Sequence, residues 1–320
     1  MSVLLLVVGG LMLYLGAEWL VGGASRLALS LRVPQLVVGL TVVSYGTSAP
    51  EIIVGIQAAR EGHGDVVVGN VLGSNIANLG LILGVSTLVR PARVDGVLRR
   101  RELPVLLIST LALPLVLLDG RVQWWEAAVL MLAGVLYTAW MLRTVRSPPD
   151  IAQAKDDAAA TADATAVAGA PATTSRLRHG WMALVGLGVL LVGGHVFVDA
   201  ATALARAWGM SGRIVGLTIV AIGTSLPELA TGVIAAARGN SDIAVGNVLG
   251  SNIFNVFTCL GAAGLVGRVE TSAFAHDIGA LVLITLVSLV FLRTARTMTR
   301  WEGGTLALGY AAFLAWLALR

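Results

Sequence analysis

The sequence predicts an all-α integral membrane protein with ten transmembrane helices in two inverted five-helix repeats. Three observations predict it. Hydrophobic residues make up 57% of the 320-residue chain and charged ones 12%, with a mean hydropathy of +0.85, whereas soluble domains carry roughly 25% charged residues. Apolar runs approaching or exceeding the about 20 residues that cross a bilayer recur from end to end. One 42-residue segment occurs twice, as residues 39–80 and 216–257, with 24 identities and a constant offset of 177.

The elements follow in order. The first apolar run, 2–24, is too long and too lightly charged at its start for a cleaved signal peptide, and reads as a span. The second and third, 35–59 and 65–89, hold the first copy of the repeat. The fourth and fifth, 103–119 and 124–145, are plainly apolar, and Trp124 and Trp125 open the fifth as interfacial anchors. Residues 147–178 are rich in Ala, Thr, Asp and Pro without apolar periodicity, and read as a flexible cytoplasmic linker. The sixth span is 180–205, and the seventh and eighth, 213–237 and 242–266, hold the second copy. The ninth and tenth are 273–292 and 302–319, with Trp301 at the edge of the last. All must be helical, because lipid offers nothing to an open backbone group; the alternation of a barrel strand is absent.

This divides the chain into a first repeat at 1–146, the linker at 147–178 and a second repeat at 179–320. Five spans per half is an odd number, so the second copy enters the membrane upside down. Sixteen Lys and Arg residues fall on the linker side, among them Arg90, Arg93, Arg99, Arg100 and Arg101, and six on the other. The positive-inside rule puts the linker in the cytoplasm and both termini outside a cytoplasmic (inner) membrane. Net charge +4 and a pI near 9.8 could mark a nucleic-acid partner. Basic residues confined to helix ends argue for membrane topology instead. The single cysteine, Cys259, excludes an internal disulfide and a cysteine metal cluster, and reads as a small buried thiol.

The chemistry lies in the duplicated segment. Pro50 and Pro227 lack an N–H, so the carbonyls of Gly46 and Gly223 lose their helical partners and a break is expected mid-membrane. Glu51 and Glu228 follow directly, one turn after Thr47 and Thr224, with Ser48 and Ser225 beside them. In the next helix of each half, Asn70, Ser74 and Asn78, and again Asn247, Ser251 and Asn255, recur every four residues along one face. An ionisable side chain in a membrane span is expensive and marks function. The set offers carboxylates, hydroxyls, amide oxygens and backbone carbonyls, with no thiolate or imidazole. That suits a hard cation, Ca²⁺ or Na⁺, rather than Zn²⁺ or Cu⁺.

GTSAPE and GTSLPE, each followed by GNVLGSN beginning 18 residues after the glutamate, resemble the two α-repeats of the Na⁺/Ca²⁺ exchanger branch of the cation/Ca²⁺ antiporter superfamily. The resemblance implies a secondary antiporter exchanging Ca²⁺ for Na⁺ by alternating access, and no enzyme. The four repeat-bearing helices would cluster centrally while the first helix of each half slides against them. Implied ion ligands are Thr47, Ser48, Glu51, Ser74 and Asn78, with Thr224, Ser225, Glu228, Ser251 and Asn255 in the second half. Carbonyls near Ser44 and Ala221 are implied for Na⁺. Partners would be the two ions and the bilayer, with no cofactor, nucleic acid or obligatory protein. Several members of that family carry aspartate at the position of Asn255, so this chain lacks one protonatable group there. The alternatives are a cation/H⁺ exchanger of the same fold and a passive cation channel.

Other polar residues carry plainer expectations. Gly69/Gly73 and Gly246/Gly250 read as close-packing positions. Asn75 and Asn252 lie off the ligand stripe and should bond between helices. Asp65 and Asp242 should cap helices. Glu18 and Asp199 read as polar helix contacts, with an access path as the second reading, and His195 occupies the repeat position of Glu18.

Overall fold

The structure, a computed structural model, describes residues 1–31, 33–94, 96, 98–144, 172–209, 223–271, 274–294 and 297–319. The first half holds α1 (Ser2–Leu31), α2 (Gln35–Val38), α3 (Ser44–Thr47), α4 (Ala49–Arg60), α5 (Gly64–Ala77), α6 (Leu83–Val89), α7 (Leu103–Val116) and α8 (Trp124–Thr144). The second holds α9 (Ala172–Ala207), α10 (Leu226–Ala237), α11 (Ser241–Phe254), α12 (Gly261–Val266), α13 (Ala275–Thr294) and α14 (Arg300–Ala318). Helix therefore reaches back to Ala172, into the stretch read as linker; Ala172, Arg176, Leu177 and Arg178 are compatible with helix, and propensity there outweighs the loss of apolar pattern.

Six described helical stretches are long and apolar enough to cross a membrane, and a seventh is the bent pair α2–α3 with α4. The protein is a mostly helical membrane protein. Helix also stands at the expected fourth, seventh and tenth positions, as α7, α10 and α14, each shorter or more polar than the others. The start of the expected seventh span lies outside the described residues.

Among the described residues, π-helix interrupts the helices at Gly39–Val43, Asn78–Ile82 and Asn255–Leu260, and a fourth stretch, Leu98–Glu102, leads into α7. Periodicity gave no hint of them, since a π turn adds one residue without changing composition. Two antiparallel ribbons also depart from the expected all-helical chain. In one, β1 (Ala92–Arg93) pairs with β4 (Thr297–Met298); in the other, β2 (Arg121–Val122) pairs with β3 (Val269–Glu270). Each joins a loop of one half to a loop of the other, satisfying backbone groups that leave a helix end without partners.

The core surrounds the duplicated segments. Leu72, Ile76, Leu79, Phe254, Val256 and Leu260 are buried together in one cluster. A second cluster is built where α1 packs antiparallel along α9. Gly16 makes that seam possible, since a Cβ there would overlap the backbone of Leu190, with its Cα only 2.6 Å away. Of the expected close-packing glycines, Gly250 behaves as read: a Cβ would stand 2.7 Å from the carbonyl oxygen of Leu40. Among the described residues, nothing lies within 4 Å of a Cβ placed at Gly73.

The capping reading of the aspartates is corrected. His63 and Asn240 occupy the N-cap positions, without a side-chain cap, and Asp65 and Asp242 lie in the first turns. Asp65 accepts a 3.0 Å hydrogen bond from Thr271 Oγ1, which ties α5 to the loop after β3.

Candidate functional site

Proline sets the site. α3 ends at Thr47, Ser48 takes φ −84°, ψ 5°, and α4 starts at Ala49 with Pro50 in its first turn. The two segments meet at 44°. Ser225 has nearly the same backbone, φ −90°, ψ 6°, ahead of Pro227. Each break starts a new helix whose first turn holds the glutamate, Glu51 in α4 and Glu228 in α10. Free N–H groups and the positive end of the helix dipole favour an anion there. Both glutamates are 1% exposed.

The two halves then interlock. Ser48 Oγ donates to Oε1 of Glu228 at 3.0 Å, and Thr47 also faces that carboxylate. In the reverse sense, Thr224 from the second half and Ser74 are the hydroxyls beside Glu51, although neither Glu51 oxygen has a hydrogen bond of good geometry. Thr47 and Ser48 thus face the glutamate of the other copy, as Thr224 does in the reverse sense. Glu51 and Glu228 lie close enough to feel each other's charge. Thr47 Oγ1 donates to Asn247 Oδ1 at 3.1 Å, a further contact across the halves.

The helices behind supply amides. Asn70 Nδ2 donates to the backbone carbonyl of Glu51 at 3.1 Å, and Cys259 Sγ donates to the same oxygen at 3.2 Å. Asn78 and Asn255 each open a π turn, where the extra residue re-aims the helix face. Asn255 Nδ2 donates to Asn75 Oδ1 at 3.1 Å, and Asn75 Nδ2 donates to the carbonyl of Asn252 at 3.3 Å. Asn75 therefore bonds between helices, as expected, whereas the Asn252 side chain donates to the Val248 carbonyl of its own helix at 2.7 Å, and Asn255 Oδ1 is left for the interior.

Of the ten residues singled out, Thr47, Ser48, Glu51, Ser74, Asn78, Ser225, Glu228, Ser251 and Asn255 are buried, and Thr224 is half-buried. Both Glu51 oxygens, Glu228 Oε2, both polar atoms of Asn78, Ser225 Oγ, Ser251 Oγ and Asn255 Oδ1 have no hydrogen-bond partner among the described residues. So many orphaned oxygens in one interior are costly unless something cationic satisfies them. Among the described residues, no group of three or more His, Cys, Asp or Glu could hold a metal. The donor set is therefore carboxylate, hydroxyl and amide, which fits Ca²⁺ or Na⁺.

The Ser44 carbonyl already accepts the Ser48 N–H at 2.9 Å, and Ala221 lies outside the described residues. Glu18 pairs with Arg238 and Asp199 with His195, which makes both of them polar helix contacts. Sequence reasoning missed Asn247 as the partner of Thr47 and Cys259 as a donor to Glu51. The repeated GNV contains the first, but no sequence signal marks the second, whose repeat position is Ile82.

The family profile described as Sodium/calcium exchanger protein matches residues 1–143 and 179–319. The inner membrane protein YrbG of Escherichia coli strain K12 is 36% identical over 98% of this chain and 95% of its own length. The sodium/calcium exchanger MaX1 of Methanosarcina acetivorans is 33% identical, over 97% of each chain. Among solved structures, the sodium-calcium exchanger NCX_Mj superposes with a TM-score of 0.85 at 29% identity, covering 98% of this chain and 97% of that one.

Proposed function

This chain belongs to the sodium/calcium exchanger protein family, and from that premise we propose that it is a secondary active antiporter exchanging Ca²⁺ for Na⁺. One observation carries the reading. Glu51 and Glu228 come from opposite copies of the repeat, are both buried, and have unsatisfied oxygens surrounded by hydroxyl and amide donors from both halves. The ligands of the shared site are Thr47, Ser48, Glu51, Ser74, Asn78, Thr224, Ser225, Glu228, Ser251 and Asn255. Two carboxylates balance one Ca²⁺. Empty, they repel each other in a medium that also disfavours charge, so release of one cation is coupled to arrival of the next.

The scaffold for this is ten spans in two inverted repeats. The two cross-half ribbons support it: β1 and β3 occupy repeat positions, 92–93 and 269–270, and pair with opposite loops. Alternating access follows when one assembly rocks against the other around the fixed site. The linker side faces the cytoplasm, on the arginine count.

The test is radiolabelled Ca²⁺ uptake into proteoliposomes preloaded with Na⁺, with Na⁺, K⁺ or choline outside. Uptake driven by the outward Na⁺ gradient is expected. Uptake indifferent to Na⁺ but driven by a pH gradient would move the coupling to protons, and current without a counter-ion would make the protein a channel.

A further inference from the structure

Outside the ion site, the repeat positions of four charged residues form a pattern. Glu18 of α1 is ion-paired with Arg238, which caps the C-terminal end of α10, and Arg238 Nε donates to Glu18 Oε1 at 3.0 Å. Adding the repeat offset of 177 turns Glu18 into His195, and subtracting it turns Arg238 into Glu61. The second couple has the same pair of chemistries with the signs exchanged between helices: an acid at the end of α4 and a base on α9. In an inverted repeat, positions related in this way lie on opposite sides of the membrane.

Only one couple is made. Glu18 and Arg238 side chains are 20% and 40% exposed. His195 is 80% exposed and pairs within its own helix with Asp199 at 3.3 Å. Glu61 is 51% exposed, held by Gln57 at 3.1 Å and facing His63 at 3.5 Å, both neighbours in sequence. The packing differs in the same sense. α10 lies along α1, with Ala230 and Ile234 against the buried cluster of the α1–α9 seam. The corresponding positions of α4, Ile53 and Gln57, line an open hollow of about 300 Å³ with Ile56 and Arg60, and α4 makes no comparable contact with α9.

We infer that Glu18–Arg238 and Glu61–His195 are alternate seals of the transport path. The first closes the linker side in the conformation seen, and the second closes the opposite side when the first is broken. The inference rests on the alternating-access reading above. In the exchanged state the His195 imidazole N–H donates to the Glu61 carboxylate. Asp199, at the repeat position of Gly22, flanks the imidazole from its own helix, as the backbone at Gly22 flanks the Arg238 guanidinium. Because one couple must open for the other to form, neutralising one acid shifts the population toward the opposite seal.

The experiment is thiol cross-linking in native membranes. Each couple joins one half of the chain to the other, so a protease site placed in residues 147–178 separates the halves unless a link holds them. The Glu61→Cys/His195→Cys chain is treated with a short bifunctional maleimide, with Glu18→Cys/Arg238→Cys as the positive control. The single variants control for native Cys259, which is fully buried. Glu61 and His195 are exposed, so cysteine at either leaves the fold intact. The halves are expected to stay joined, and Glu18→Gln is expected to speed the joining severalfold. Halves that separate while the control pair stays joined would overturn the second seal. Joining that Glu18→Gln leaves unchanged would overturn the reciprocity. The link needs no transported ion, and uptake is read on the parent protein: a link in the variant with no Na⁺-driven uptake by the parent would sink the ion assignment alone, and parent uptake without a link would sink the seal alone.

Discussion

Ser48 Oγ donates a 3.0 Å hydrogen bond to Oε1 of Glu228, a residue 180 positions away in the other half of the chain. The two are first neighbours of different proline breaks, so the bond exists only because the breaks meet in the middle of the fold. It holds one carboxylate oxygen in place and leaves Oε2 of the same group without a partner. A site assembled in this way needs both repeats, and neither half contains it alone.

Replacing either acid tests the core of the site. Glu51→Gln and Glu228→Gln keep the shape and remove the charge that a divalent cation requires. Breaking one partner of a buried charged contact costs about 3–5 kcal/mol, which taken as binding energy is roughly two to four orders of magnitude in affinity. Na⁺-driven Ca²⁺ uptake should vanish in both variants while gel filtration still gives a monodisperse peak.

Ser48→Ala removes a donor without removing charge. A hydrogen bond to a charged group contributes about 1.5–3 kcal/mol, so half-saturating Ca²⁺ should rise by roughly tenfold or more. A change of maximal rate with unchanged half-saturation would place Ser48 outside the ion site.

Cys259 has no solvent exposure and donates to the Glu51 carbonyl. Methanethiosulfonate reagents should leave it unlabelled in intact membranes and label it fully in denaturant. Cys259→Val keeps the volume but leaves Asn70 as the remaining donor to that carbonyl. A modest weakening of Ca²⁺ half-saturation is expected, with Cys259→Ser close to the parent.

The seam between α1 and α9 has no room at Gly16. Gly16→Ala brings a methyl into the Leu190 backbone, and overpacking of this kind costs about 1–3 kcal/mol. The melting temperature in detergent should fall.

The sequence by itself determined that this is a membrane protein, that it carries a duplicated unit, and which residue types gather in that unit. Composition and span length decide the first, because lipid accepts only segments of one polarity. The proline breaks were legible too, since a missing N–H at Pro50 and Pro227 is a covalent fact. Nine of the ten proposed ligands are buried, as expected of polar groups kept away from lipid. The tertiary structure alone decided what faces what. That Ser48 reaches Glu228 rather than Glu51, that Cys259 serves Glu51, and that Asn78 and Asn255 sit on π turns all depend on how two distant copies dock. The imbalance between Glu18–Arg238 and Glu61–His195 depends on it as well. A repeat is symmetric in sequence, but under the proposed alternating access a single conformation is not, because closing one side of the path opens the other.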